Sequence, residues 1–499
     1  MRLSSGVGGT ASGAGSATRP VSRTPGDGRT ALGLALAVTG IGLLMVRLTY
    51  DNFDGVIMGQ VAQNLADHHS ITVAFDPLKI DSPHSSFGLG MSLLMIPTYL
   101  IGRLCGAGAI AGIMATNAWL LGAFAALVFA WARMRACTRS QAVTVALLMA
   151  IGGGLLPYTS TGFSELGLAD AVTAAMVALT ALHQQRTWAP AALGAATGAT
   201  VLMRSDSALL IAPFLLVGAV VIVAPLIPER ADRLRASGLL IAGAAPFAIV
   251  WAWYNAARYG RPWRLGYDSV LVLQHPVVRG VYGLLFSPGK GIVLYAPLLL
   301  VALLGIAAAW QHDRVSVLVA VGIVVARVAF FAAYWGWYGG GSYGPRFLVP
   351  LYPLAMLGLI PLVRRDVRPQ RALVGVAVAL SAWGVVGGVS GAVVDYTKNG
   401  QLHALAEVVI PADQRTGRAF VRFEESAATM SAIDHRLLVW SHVPATEEVG
   451  SLLRGHDVSA AALTSATPAR SRAQRWGAAL LLIVGGAWLT AAGPLVRRG

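Results

Sequence analysis

Residues 31–54 read ALGLALAVTGIGLLMVRLTYDNFD: an uncharged apolar run from Ala31 to Val46, one Arg47, and two carboxylates, Asp51 and Asp54, where the run gives out. With its flanks the run reaches the roughly 20 residues that a helix needs to cross about 30 Å of hydrocarbon. Runs of the same kind recur almost to the end of the chain, at 31–49, 108–132, 140–158, 167–185, 188–204, 207–227, 236–256, 291–310, 315–335, 346–363, 371–394 and 476–496. About a dozen crossings make this an all-α polytopic membrane protein, since helices satisfy their backbone polar groups within each segment. Composition excludes a soluble alternative. Of 499 residues, 56% are hydrophobic and 12% charged, against about 25% charged in soluble domains. A single soluble core stops growing near roughly 250–300 residues.

The net charge is +15. Its placement explains it. Arg19, Arg23 and Arg29 precede the first run; Arg133, Arg135 and Arg139 follow the second; Arg230, Arg233 and Arg235 follow the sixth; Arg364, Arg365, Arg368 and Arg371 follow the tenth; Arg497 and Arg498 end the chain. With the crossings above, all of these fall on one side, which the positive-inside rule makes cytoplasmic. Arg470, Arg472 and Arg475 fall on the other side, against the rule. No basic patch lies on a soluble face, so no nucleic-acid partner is expected. Cys105 and Cys137 have neither CxxC nor metal-ligand spacing, so neither a disulfide nor a metal site is expected.

Four segments order the chain: a disordered cytoplasmic tail at 1–30, too poor in large apolar side chains to fold; a transmembrane module at 31–395; a small extracytoplasmic region at 396–475; and a terminal crossing at 476–499. The tail is too long and polar for a signal peptide. The first outer loop, 50–107, is expected to carry two amphipathic helices lying along the membrane, 54–67 and 88–104. No internal repeat is visible, which speaks against the repeated halves of many secondary transporters.

The polar residues that could carry chemistry cluster at the outer boundary. Asp54 opens an amphipathic helix; it could act as a general base or simply favour the helix N-terminus. His84, in Ser82-Pro83-His84-Ser85-Ser86-Phe87, could hydrogen-bond a substrate or have no role. Glu165 ends the stretch Tyr158-Thr-Ser-Thr-Gly-Phe-Ser-Glu165 and could be a site residue or a solvated loop carboxylate. Arg204 could hold a phosphate or merely neutralise Asp206. Arg258, in Tyr254-Asn255-Ala-Ala-Arg258-Tyr259, and Lys290, in Phe286-Ser287-Pro288-Gly289-Lys290-Gly291, add cations to a side that should be poor in them; an anionic lipid phosphate would account for them. Tyr343 and Arg346 belong to a glycine-rich stretch, Gly339-Gly340-Gly341-Ser342-Tyr343-Gly344-Pro345-Arg346, with backbone amides free to donate. Arg327, in mid-helix, must face protein or water.

In this order, over residues 31–395, the stretches resemble bacterial GT-C membrane glycosyltransferases, the polyprenyl-phosphate-sugar-dependent class that includes protein mannosyltransferases and mycobacterial arabinosyltransferases. The resemblance implies a GT-C-like bundle with amphipathic helices in the first outer loop, in the inner (plasma) membrane with an extracytoplasmic active site. It implies an inverting sugar transfer from a polyprenyl-phosphate donor to a glycan, lipid or protein acceptor. Asp54 matches the family's base. The family's adjacent acidic neighbour is missing, since Phe53 precedes Asp54 and Gly55 follows it, and Asp51 could substitute. Where relatives often have a lysine, this chain has His84. No cofactor is implied beyond the lipid-linked sugar, and a divalent metal stays open. Such a donor needs no general acid, because phosphate leaves as a stabilised anion. It needs a base near the acceptor hydroxyl and cations on the phosphate, with Arg204, Lys290 and Arg346 as the holders. Two rivals stand beside this reading: a transporter or flippase for a lipid-linked sugar or small solute, favoured by Arg327, and a non-catalytic subunit of an envelope complex.

Overall fold

The computed structural model describes residues 26–46, 52–73, 83–265, 273–287, 290–339, 342–364, 366, 371–393 and 469–491. Asp51, most of the expected tail and almost all of 396–475 lie outside them. The described residues are mostly helical, joined by turns and loops, with an isolated antiparallel bridge between Thr72 and His84. Among the described residues seven helices are long and apolar enough to cross a membrane: Asp27–Met45, Ala109–Met134, Glu165–His183, Ser207–Leu226, Arg230–Tyr259, Arg314–Ala333 and Arg346–Arg364. Shorter apolar helices, among them Arg139–Gly152 and Ala189–Met203, fill positions where crossings were expected. The chain is a multi-pass membrane protein.

Four of the expected crossings differ from the sequence reading. The expected crossing at 291–310 is broken into Ile292–Tyr295, Leu298–Leu303 and Ile306–His312. Pro297, which has no amide to donate, separates the first two, and Gly305 separates the last two. The first helix starts at Asp27, inside the expected tail, and the last starts at Ala469, inside the expected outer region. The expected run 140–158 is helical only to Leu147; a π-turn, Leu148–Gly152, and a 3-10 turn, Leu156–Ser160, complete it. The two amphipathic helices are present as Phe53–His68 and Leu89–Leu104. Asn52 caps the former, its Oδ1 accepting from the Gly55 amide at 2.6 Å.

Packing runs from the last helix to the first, then through Thr116–Met134, Glu165–His183 and Ala189–Met203 to Arg230–Tyr259. The first and last helices lie antiparallel. A Cβ at Gly33 would stand 2.6 Å from the Gly486 carbonyl oxygen, and one at Gly40 2.6 Å from that of Ala479. Only glycine permits this approach, which is how helices gain contact in lipid, where apolar burial offers little. The last helix therefore begins at the Met45 end of the first, as the basic-loop count requires.

The bundle has two charged ends. At one, Asp27 accepts from Arg133 at 3.1 Å and from Arg139 at 3.3 Å. Arg135 pairs with Asp313, and Arg364 donates to the Arg135 carbonyl at 2.9 Å. Arg235 lines a cleft with Leu182 and Leu226 at that same end. Of the arginines that the sequence put on one side, Arg133, Arg135, Arg139, Arg235 and Arg364 gather at one end. The other end lies about 23 Å away along the Glu165 helix, from Thr180 back to Glu165 at about 1.5 Å per residue.

Candidate active site

At that other end the chain folds six charged side chains into one alternating series. Arg346 pairs with Asp54 and donates from Nε to Glu165 at 2.7 Å. Glu165 also accepts from Arg204 at 2.9 Å. Arg204 reaches Asp206 at 3.3 Å, and Asp206 lies 3.7 Å from Arg327. The order is Asp54, Arg346, Glu165, Arg204, Asp206, Arg327: carboxylate and guanidinium in turn, with charge balanced.

Local structure sets each member. Asp54 sits in the first turn of the Asn52-capped helix. Gly55 meets Gly162 back to back, a Cβ on Gly162 lying 2.5 Å from the Gly55 Cα. Any side chain there would push Asp54 away from the 158–163 turn. That turn is held by Asn117, whose amide donates to the carbonyls of Tyr158, Thr161 and Phe163 at 3.1, 2.7 and 3.0 Å. Glu165 follows as the first residue of its helix. Arg204 stands at the C-terminal end of Ala189–Met203, and Arg346 opens the 3-10 segment Arg346–Ala355. Beneath the guanidinium groups lies an aromatic floor. Arg346 sits 3.8 Å from the Phe163 ring centroid and Arg204 5.4 Å from that of Phe347. Phe347 stacks on Phe331 with centroids 4.3 Å apart.

The members are not equivalent. Glu165 is fully buried and shared by two arginines, whereas the Asp54 side chain keeps 18% exposure and has one. Burial pushes the Asp206 carboxyl up, but Arg204 and Arg327 outweigh it and hold it below the usual carboxylate range. Asp54 is thus the more accessible of the two carboxylates paired with Arg346, and Glu165 is a shared anchor.

Of the residues singled out from sequence, the structure brings Asp54, Glu165, Arg204 and Arg346 together. The others have different surroundings. Arg258 donates to the carbonyls of Ser85 and Phe87 at 2.6 and 2.9 Å and to Asn255 at 2.7 Å. It fastens the His84 loop to the long helix. His84 itself lies in the bridge with Thr72. Lys290, fully buried, donates to the Ser342 carbonyl at 2.5 Å. Tyr343 packs edge-on against Tyr295 and accepts, at its carbonyl, from the Tyr158 hydroxyl at 2.7 Å. Asn117, Phe163 and Phe347 were not singled out, and nothing local marks them. Among the described residues no three of His, Cys, Asp and Glu gather as a metal site.

Seen whole, the bundle matches known architecture. The crystal structure of ArnT from Cupriavidus metallidurans bound to undecaprenyl phosphate superposes with a TM-score of 0.50 at 14% identity, over 83% of this chain and 76% of that one. The fold is of the GT-C type. The archaeal oligosaccharyltransferase AglB from Archaeoglobus fulgidus, in complex with an inhibitory peptide and a dolichol-phosphate, superposes with a TM-score of 0.46 at 14% identity, over 86% of this chain and 58% of that one. No family model matches the sequence, and no curated protein matches it either. In this GT-C fold the charged series lies at the end that carries the two amphipathic helices.

Proposed function

We propose that the chain is an inverting glycosyltransferase that moves a sugar from a polyprenyl-phosphate donor to a glycan, lipid or protein acceptor of the envelope. The observation that carries this reading is the contact of Asp54 with Arg346 inside a buried series of alternating charge. A candidate base and candidate phosphate-holding cations then line one site. Asp54 takes the proton of the acceptor hydroxyl. The hydroxyl oxygen bonds to the anomeric carbon as the carbon–phosphate oxygen bond breaks, and the lipid phosphate leaves with the electron pair. Attack from the face opposite the phosphate inverts the carbon. Arg346 and Arg204 stabilise the developing phosphate charge in a site of low dielectric, where such interactions are strongest. Glu165 keeps both arginines aimed. Undecaprenyl phosphate in the similar ArnT structure supports a lipid-phosphate donor of this class. We place the arginine-rich end in the cytoplasm and the site on the opposite face of the inner membrane. No cofactor beyond the donor is part of the proposal.

The transporter reading drew on Arg327, but that side chain is a member of the charged series, not a lone mid-membrane cation. Transfer from a radiolabelled polyprenyl-phosphate-sugar by purified protein in detergent, with no sealed compartment, tests the reading. Asp54→Asn is expected to lower turnover by about 10²–10⁴-fold, the usual contribution of a general base. Full activity in that variant would remove Asp54 from the role, and wild-type protein inert toward every lipid-phosphate sugar would remove the reading.

A further inference from the structure

The sequence marks Arg327 only as a charge buried in a crossing. Its partners give it a sharper meaning. Arg327 lies fully buried in Arg314–Ala333, and its Nε and one terminal nitrogen both donate to the Phe347 carbonyl, at 3.1 and 2.8 Å. Phe347 is the residue after Arg346. The same guanidinium pairs with Asp206 at 3.7 Å, and Asp206 pairs with Arg204. The group sits 5.0 Å from the Phe331 centroid, and Phe331 stacks on Phe347. One guanidinium thus touches both branches of the site: the backbone that carries Arg346, and the carboxylate that aims Arg204.

The chemistry requires such a holder. Arg346 enters at the start of a 3-10 segment containing Pro350 and Pro353, where carbonyls lack regular intrahelical donors. An unpaired carbonyl at Phe347 would leave that turn free to rotate, and Arg346 with it. A forked, permanently charged donor fixes the carbonyl in one plane, which a lysine cannot reproduce. We infer that Arg327 is a positioning residue, setting the Arg346 and Arg204 guanidiniums at the spacing that grips a lipid-linked phosphate through the Phe347 carbonyl and the Asp206 carboxylate. The donor chemistry rests on the function proposed above; the mechanical coupling does not.

Two measurements separate the two parts. In ligand-free full-length protein, thermal melting of Arg327→Lys, Arg346→Lys and the double variant is expected to be non-additive, because both changes act on one turn. Arg135→Met combined with Arg346→Lys, at opposite ends of the bundle, is expected to be additive. Equal additivity in both pairs would overturn the proposal whatever the protein binds. Undecaprenyl phosphate is then the binding probe. Arg327→Met is expected to weaken it by about tenfold or more, the scale of one lost charge-assisted hydrogen bond, with Arg327→Lys recovering part. Should Arg327→Met fail to fold, Asp206→Asn takes its place with a loss of several-fold. Unchanged affinity in folded variants would sink the inference. Wild-type protein that binds no undecaprenyl phosphate would end the reading of the site as a donor site, while the melting cycle would still decide the coupling.

Discussion

The two ends of this bundle are built from the same side chains and use them differently. At the arginine-rich end, ion pairs act as staples. Arg135 joins Asp313 and Thr180, and Arg133 joins Asp27 and the Cys137 carbonyl. Each fastens one helix end to another, and arginines outnumber carboxylates. In the Asp54 series the charges balance and are shared, with Glu165 serving Arg346 and Arg204, and Asp206 serving Arg204 and Arg327. A staple can be cut with local effect. A shared series cannot lose a member without releasing its neighbours, so charge count is a poor guide to function and connectivity a good one.

That contrast can be broken by experiment. Among changes to the residues that hold the arginines, the largest effect is expected from Glu165→Gln, which keeps shape but leaves two guanidiniums without their common anion. Turnover should fall by about 10²-fold, since removing one partner of a buried pair costs roughly 3–5 kcal/mol. Transfer kinetics alongside Asp313→Asn, expected to stay within about twofold of wild type, read the difference directly; equal losses would erase it. Next comes Asn117→Ala, which orphans three carbonyls of the 158–163 turn. We expect a drop of about 1–3 kcal/mol in stability and about tenfold in turnover, measured by melting and by the same assay. The smallest effect lies at the stapled end. Burial pushes the Asp313 carboxyl up, but Arg135 and the Ser316 hydrogen bonds hold it below the usual carboxylate range. Its stabilising contribution is therefore complete at neutral pH and is lost as pH falls from about 4, the ordinary carboxylate value, through the lower folded one. Melting of wild type should fall more steeply on acidification than that of Asp313→Asn. Parallel acid limbs would show that the pair contributes nothing.

Much of the fold was legible because its signals are local. Apolar runs announce crossings, and arginine clusters sort the ends. The interruption between Pro297 and Gly305 was also written in the chain, yet the surrounding leucines and valines dominate any averaged hydropathy. The site was legible only in part. Arg204, Arg258, Lys290 and Arg346 look alike in sequence, as cations beside aromatics at one boundary. Which of them meets a carboxylate and which a carbonyl depends on helix register across nearly three hundred residues of separation, as between Asp54 and Arg346. Asn117 was invisible for the same reason: its three acceptors are main-chain atoms more than forty positions away.

The helix Arg230–Tyr259 has 30 residues and just four buried ones, Ala236, Tyr254, Asn255 and Arg258. At about 1.5 Å per residue it extends roughly 45 Å, some 15 Å beyond a hydrocarbon slab of ordinary thickness. Three of its four buried residues lie at the far tip, where Arg258 grips Ser85 and Phe87. Its shaft is seamed along one side to Ala189–Met203, where a Cβ on Gly194 would run into the Leu240 carbonyl oxygen, and leaves the rest of its apolar surface to lipid. That seam sets the height of the rod's tip, and Arg258 there ties Ser85 and Phe87 of the first outer loop to it.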